Sequence, residues 1–184
     1  DPTHLTFRPT PDDYLLFLGR FTPGKGVLEA IEVARRTGRR LLLAAAENDY
    51  FREMVAPHID GQQIVYAGEV DRAGKSALLG GARALLYPVQ QAESFGLVLT
   101  EAMTCGTPVA ALDQGAVSEL VDNGVTGHVD ASLDALIARL PDVEQLDRHA
   151  VRRRALERFG VDRMVETHIA LYAQLASKSS LRAL

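Results

Sequence analysis

The 184 residues, 47% hydrophobic and 24% charged, are enough for one α/β domain with a sizeable core and have the composition of an ordinary soluble globule. Twenty Lys and Arg against 24 Asp and Glu give a net charge of −4, which argues against a general nucleic-acid binder but leaves room for a local basic pocket. The single cysteine, Cys105, can close no intramolecular disulfide and fits a reducing compartment; beside Met103 and Val109 it reads as buried filler rather than as a nucleophile. No run reaches the length of a membrane span, and the chain opens on Asp1 rather than Met, as a piece excised from a longer protein would.

Residues 1–13 carry three prolines and little periodicity, and read as a linker. Residues 14–18 are a continuous apolar run, the mark of a strand buried on both faces. A loop over residues 19–26 holds three glycines and a proline, and Val27, Leu28, Ile31 and Ala34 then recur at helical spacing up to Gly38. Residues 41–45 predict a second buried strand. Asn48 or Asp49 caps a following helix that ends near Ile59. Strands at 64–67, 84–87, 109–111 and 127–129 alternate with helices at 72–79, from Gly96 to Gly106, and at 117–121. After Leu133 the pattern is wholly helical, with helices at about 132–140, 143–159 and 161–175 and a loose end at 177–184.

Alternation with short loops implies right-handed βαβ units and a parallel sheet. The expected fold is therefore a Rossmann-like, doubly wound sheet of about six strands over residues 14–140, with C-terminal helices at 141–176. Ligands of such sheets sit at the carboxyl ends of the strands, near the point where strand order reverses. The loops after the first and fourth strands are then the ones to inspect.

The second of these leads into Glu93-Ser94-Phe95-Gly96-Leu97-Val98-Leu99-Thr100-Glu101. A helix opening just past a strand end offers unpaired N–H groups and a positive dipole end. Here those donors are Phe95, Gly96, Leu97 and Val98, and Gly96 lets a ligand oxygen approach the backbone. Glu93 precedes the helix, while Glu101 lies roughly 8 Å further along its axis. Two acceptors so spaced suit two polyhydroxyl groups on one elongated ligand, and not the closer carboxylate pair of a retaining hydrolase. The other loop, Gly19-Arg20-Phe21-Thr22-Pro23-Gly24-Lys25-Gly26, sets two cations before a helix. A diphosphate there takes a forked pair from Arg20 and a point charge from Lys25.

Glu93-x7-Glu101, running on as Ala102-Met103-Thr104-Cys105-Gly106-Thr107-Pro108-Val109, resembles the signature of retaining glycosyltransferases of the GT-B fold, family 4, in their C-terminal, nucleotide-sugar-binding domain. The likeness runs from about Tyr14 to about Tyr172. It implies that Arg20 and Lys25, with Gly19, hold the donor diphosphate and stabilise charge on the departing nucleoside diphosphate. It also implies that Glu93 and the amides of Phe95, Gly96, Leu97 and Val98 hold the transferred hexose, and that Glu101 binds the ribose. The loop after the third strand then packs on the nucleobase, with Val70 as the apolar contact and Arg72 and Lys75 as edge readers; the alternative is a plain surface loop capped by Asp71.

Gln114-Gly115-Ala116-Val117-Ser118-Glu119 is similar to the family's Gly-rich turn, with Ser118 where proline is common and Glu119 as a structural anchor. The resemblance further implies a nucleoside diphosphate sugar as donor, no metal and no other cofactor, a cytoplasmic location, and an N-terminal acceptor domain without counterpart here. No Asp-x-Asp pair is present, and the five histidines show no ligand spacing.

Three other readings stand beside this one. Gly19-x4-Gly24-Lys25 begins like a P-loop, yet Gly26 stands where a Ser or Thr must hold Mg²⁺, and Pro23 interrupts the cradle. A stand-alone nucleotide or nucleotide-sugar binding module without transfer activity is the second. The basic run Arg152-Arg153-Arg154 reads as a solvated helix face, the alternative being contact with an acidic partner or the inner membrane surface in the full-length protein.

Overall fold

The computed structural model describes residues 4–180. Six parallel strands, β1 (Leu15–Leu18), β2 (Leu41–Ala44), β3 (Ile64–Gly68), β4 (Ala84–Tyr87), β5 (Val109–Leu112) and β6 (Gly127–Asp130), form one sheet in the order β3-β2-β1-β4-β5-β6. Strand order reverses between β1 and β4, so the loops leaving these two strands lie side by side at the carboxyl edge. The expected doubly wound sheet of six strands is the observed one.

The inner strands β1, β4 and β5 are apolar on both faces because each face meets helices. Leu15, Phe17, Leu41, Leu43, Leu86 and Ala110 pack with α1 (Val27–Thr37) and α5 (Leu133–Glu144). Leu16, Leu85, Tyr87, Val109 and Ala111 pack with α2 (Arg72–Gly81), α3 (Leu97–Thr104), α4 (Val117–Leu120) and α6 (Arg148–Phe159). A last helix, α7 (Val161–Ser180), follows with its side chains exposed through residue 176.

Several boundaries differ from the sequence reading. The helix expected up to about Ile59 is present as helical backbone over residues 49–58, but it widens into a π-turn at Phe51–Val55 and then tightens into a 3-10 turn at Ala56–His58. Pro57 has no N–H to continue the ladder. Asn48 is the cap: its Oδ1 accepts from the Phe51 N–H at 2.8 Å, while its Nδ2 donates to the Phe21 carbonyl at 2.8 Å. At the other end, α5 runs through Pro141 to Glu144 rather than stopping at 140, and α6 begins at Arg148 rather than 143. The loose end expected at 177–184 continues as helix backbone to Ser180, and 181–184 lie outside the described residues.

The N-terminal segment, read as a linker, is laid against the domain from residue 4 onward. Phe7 sits against Gly106, the Arg8 N–H donates to the Cys105 carbonyl at 3.3 Å, and the Thr6 N–H donates to Ser76 Oγ at 2.9 Å. The basic run on α6 is largely engaged as well. Arg152 donates to the Thr104 carbonyl at 2.6 Å and lies over the Phe7 ring, and Arg154 pairs with Asp122 at 2.5 Å.

Arg148 is buried, a placement the sequence did not signal. Its guanidinium donates to the carbonyls of Arg8, Ala82 and Gly80 and to Thr107 Oγ1, all at 2.7–2.8 Å. Thr107 in turn donates to the Leu79 carbonyl at 2.5 Å. No basic side chain stands in the last turn of α2, so Arg148 brings a cation from another helix to its carbonyl end. Burial pulls this guanidinium down to about 10, and it remains charged at neutral pH.

Candidate functional site

The loops after β1 and β4 are locked together. Phe21 is fully buried and stacks on Phe51 with ring centroids 5.0 Å apart, which pins the first loop from below. The Gln90 N–H donates to the Gly24 carbonyl at 2.9 Å. Gly26 has φ +75°, and a Cβ there would stand 1.8 Å from the Pro88 carbonyl oxygen. Only glycine fits that contact, which leaves no room for the Ser or Thr a P-loop requires. Pro23–Lys25 forms a single 3-10 turn whose end presents Lys25.

Over these loops opens a cavity of about 390 Å³ lined by Gly19, Arg20, Lys25, Tyr87, Glu93 and residues 94–98. Gly96, at φ +80°, caps α3. The first amides of a helix have no partner inside it, and those of Phe95, Gly96, Leu97 and Val98 are taken up by no acceptor among the described residues. The expected cations, carboxylate and amides thus share one crevice. Arg20 is exposed and meets no carboxylate among the described residues. The Phe95 ring reaches sideways to Phe159, edge to face at 6.5 Å.

Glu93 is the best-held side chain here, only 16% exposed. Its carboxylate pairs with Lys25 and accepts from the Tyr87 hydroxyl at 2.6 Å. Lys25 first, and Tyr87 second, hold this carboxyl below the usual carboxylate range. Burial, then the bond to Glu93, push the Tyr87 phenol up, so it stays protonated and donates. The Glu93 backbone is fixed by the Gly-rich turn: its carbonyl accepts from the Ala116 N–H at 2.8 Å, and a Cβ on Gly115 would stand 2.4 Å from that oxygen. Gln114-Gly115-Ala116 therefore works on Glu93. The Glu119 side chain is exposed, and it is the Glu119 carbonyl that is engaged, accepting from Arg158 at 2.5 Å.

A pH dependence follows from the depressed Glu93 carboxyl. Stability from the Lys25–Glu93 pair is fully present above the ordinary carboxylate pKa of about 4.3 and lost as pH falls through the lower folded value. The melting-temperature difference between the native chain and Glu93→Gln should be constant from neutral pH down to about pH 5 and shrink below that. A difference unchanged to pH 3 would show that the pair does not stabilise the fold.

A second cavity of about 280 Å³ continues past Gly19, Arg20 and Val98 to residues 44–46, Val70, Lys75 and Glu101. Val70 and Glu101 thus share a pocket, as a base contact and a ribose ligand must. Lys75, expected as a base-edge reader, lines this cavity with Val70 and is also engaged within the chain. It pairs with Glu101 at 2.5 Å, holding the carboxylate in place. Arg72 does not line this cavity; with Lys75 and Glu101 it lines an adjoining groove of about 440 Å³ that also takes in Thr100, Leu156 and Phe159. Among the described residues no group of three His, Cys, Asp or Glu is placed to hold a metal ion, and no helix is long and apolar enough to cross a membrane.

A Rossmann-like domain with cations and free amides at its switch point is an architecture suited to binding phosphate-bearing ligands. Residues 6–157 match the family described as Glycosyl transferases group 1. Phosphatidyl-myo-inositol mannosyltransferase of Mycobacterium leprae (strain TN) is 29% identical over 180 residues, covering 90% of this chain and 48% of that protein. The crystal structure of AviGT4, a glycosyltransferase involved in avilamycin A biosynthesis, superposes with a TM-score of 0.79 at 30% identity, covering 96% of this chain and 56% of that one. Anabaena HepE in complex with UDP-glucose superposes with a TM-score of 0.66 at 22% identity, a likeness of fold, over 92% of this chain and 49% of that one.

The chain belongs to the glycosyl transferases group 1 family, and its fold is that of GT-B glycosyltransferases. It spans about half the length of the Mycobacterium leprae mannosyltransferase.

Proposed function

We propose that this chain is the C-terminal, donor-binding domain of a retaining, metal-independent glycosyltransferase of family 4, which moves a hexose from a nucleoside diphosphate sugar to an acceptor held by a separate N-terminal domain. The observation that carries the reading is the convergence of Arg20, Lys25, Glu93 and the amides of residues 95–98 on one cavity. In the reaction the bond between the anomeric carbon and the diphosphate oxygen breaks. Arg20 and Lys25 offset the charge that grows on the leaving diphosphate, the electrostatic part a divalent cation plays elsewhere. Glu93 accepts from hexose hydroxyls, Glu101 from the ribose, and Val70 covers the base. The complex of HepE with UDP-glucose supports a nucleotide sugar as ligand of this fold. Relatives about twice as long support an acceptor domain, and the lipid acceptor named for the mycobacterial relative supports contact of the full-length protein with the inner membrane surface.

Calorimetric titration of the chain with UDP, GDP and ADP, each free and with an attached hexose, tests the reading. One nucleotide should bind, and its hexose conjugate should bind more tightly. The isolated chain should transfer almost nothing, because one wall of the cleft is supplied by another domain. No heat with any of the nucleotides, or full turnover by this chain alone, overturns the proposal.

A further inference from the structure

The Glu93 carboxylate oxygen Oε2 is shared by two donors of different character. Lys25 sits on a loop, is 29% exposed, and carries a flexible ammonium. Tyr87 closes β4 and is buried, its backbone in register with Ala111. Its hydroxyl lies just beneath Gly96, where a Cβ would stand 3.1 Å away. Tyr87 therefore cannot follow a ligand, whereas Lys25 can. A diphosphate entering beside Arg20 carries more charge than one carboxylate and competes for Lys25. Once it has Lys25, the side chain of Glu93 retains Tyr87 as its donor.

We propose that Tyr87 is the positioning residue that keeps the Glu93 carboxylate aimed into the cleft after an incoming diphosphate has drawn Lys25 away. The neutral phenol fixes one oxygen and leaves the other free to accept from a sugar hydroxyl. Loss of the hydroxyl lets Glu93 track Lys25 and leaves the sugar without its acceptor. Tyr87 thus sets the gain in affinity that the sugar adds to the bare nucleotide. This rests on the reading of the cleft as a nucleotide-sugar site.

The test is Tyr87→Phe, which keeps the ring in the core and removes only the hydroxyl. UDP, GDP and ADP are titrated against UDP-glucose, GDP-mannose and ADP-glucose. For the nucleotide that binds, Tyr87→Phe should leave its affinity within about twofold and weaken its hexose conjugate about tenfold. In a Glu93→Gln background the same change should cost nothing further. Equal losses for nucleotide and conjugate, or the same loss in the Glu93→Gln background, overturn the proposal.

A ligand-free readout separates the two levels of the argument. Carbon-13 NMR titration of the Glu93 carboxyl should show its midpoint rising in Tyr87→Phe, and an unchanged midpoint sinks the positioning role. If no nucleotide binds the native chain while that midpoint moves, the cleft reading and the sugar gain fail together, and the hold of Tyr87 on Glu93 stands as a structural contact only.

Discussion

Lys25→Ala is expected to weaken nucleoside diphosphate binding by about 10- to 100-fold in calorimetric titration, with the thermal midpoint nearly unmoved. A charge-assisted hydrogen bond to phosphate is worth about 1.5–3 kcal/mol, which sets that range. The upper end is favoured because the variant also strips the Glu93 carboxylate of its counter-charge beside the incoming anion. Stability changes little, since the pair is partly open to solvent and its net worth is screened. Glu93→Gln combined with Lys25→Ala should recover part of the lost affinity, because the uncompensated carboxylate is then gone. Unchanged diphosphate affinity in Lys25→Ala would show that the loop after β1 does not carry the phosphate.

Arg148→Ala is expected to have the largest effect on the fold. Four polar partners, the carbonyls of Arg8, Ala82 and Gly80 and the Thr107 hydroxyl, lose their donor at once, and a guanidinium-sized void opens between α2, α6 and the N-terminal segment. Each buried acceptor left without a partner costs about 1–3 kcal/mol; water entering the void offsets part of this, which leaves a loss of about 3–5 kcal/mol. For a domain of this size that lowers the melting temperature by about 10 °C. Arg148→Lys should recover little, because one ammonium cannot reach the positions the planar fork serves. Differential scanning fluorimetry of the two variants decides the matter. A shift of a degree or two in Arg148→Ala would mean that the buried charge costs as much as its hydrogen bonds return.

The sheet was legible because its inner strands are short apolar runs, and burial on two faces accounts for Leu15, Leu16 and Phe17 and for Leu41, Leu42 and Leu43. The site loops were legible because the six-stranded, doubly wound order reverses after β3 and so puts the ends of β1 and β4 together. What escaped is long-range and aperiodic. Arg148 lies on α6 as one arginine among several, and nothing local marks it as the one that turns inward. The pairing of Lys75 with Glu101, 26 positions away in sequence, has no local mark either. Tyr87 looked like one more apolar residue of β4, because the value of its hydroxyl depends on where Glu93 falls. Proline disfavours a helix interior, yet α5 is held on the sheet by Leu136, Leu140 and Val143, and the helix carries across Pro141.

The joint between the loops leaving β1 and β4 has a consequence for recognition. With the Gly24 carbonyl tied to Gln90 and Gly26 seated on Pro88, the cation-bearing and carboxylate-bearing segments form a single stiff block. A visiting molecule finds its contacts already arrayed and sacrifices little chain freedom in making them. Any large rearrangement that accompanies binding must then be sought outside the floor of the crevice itself.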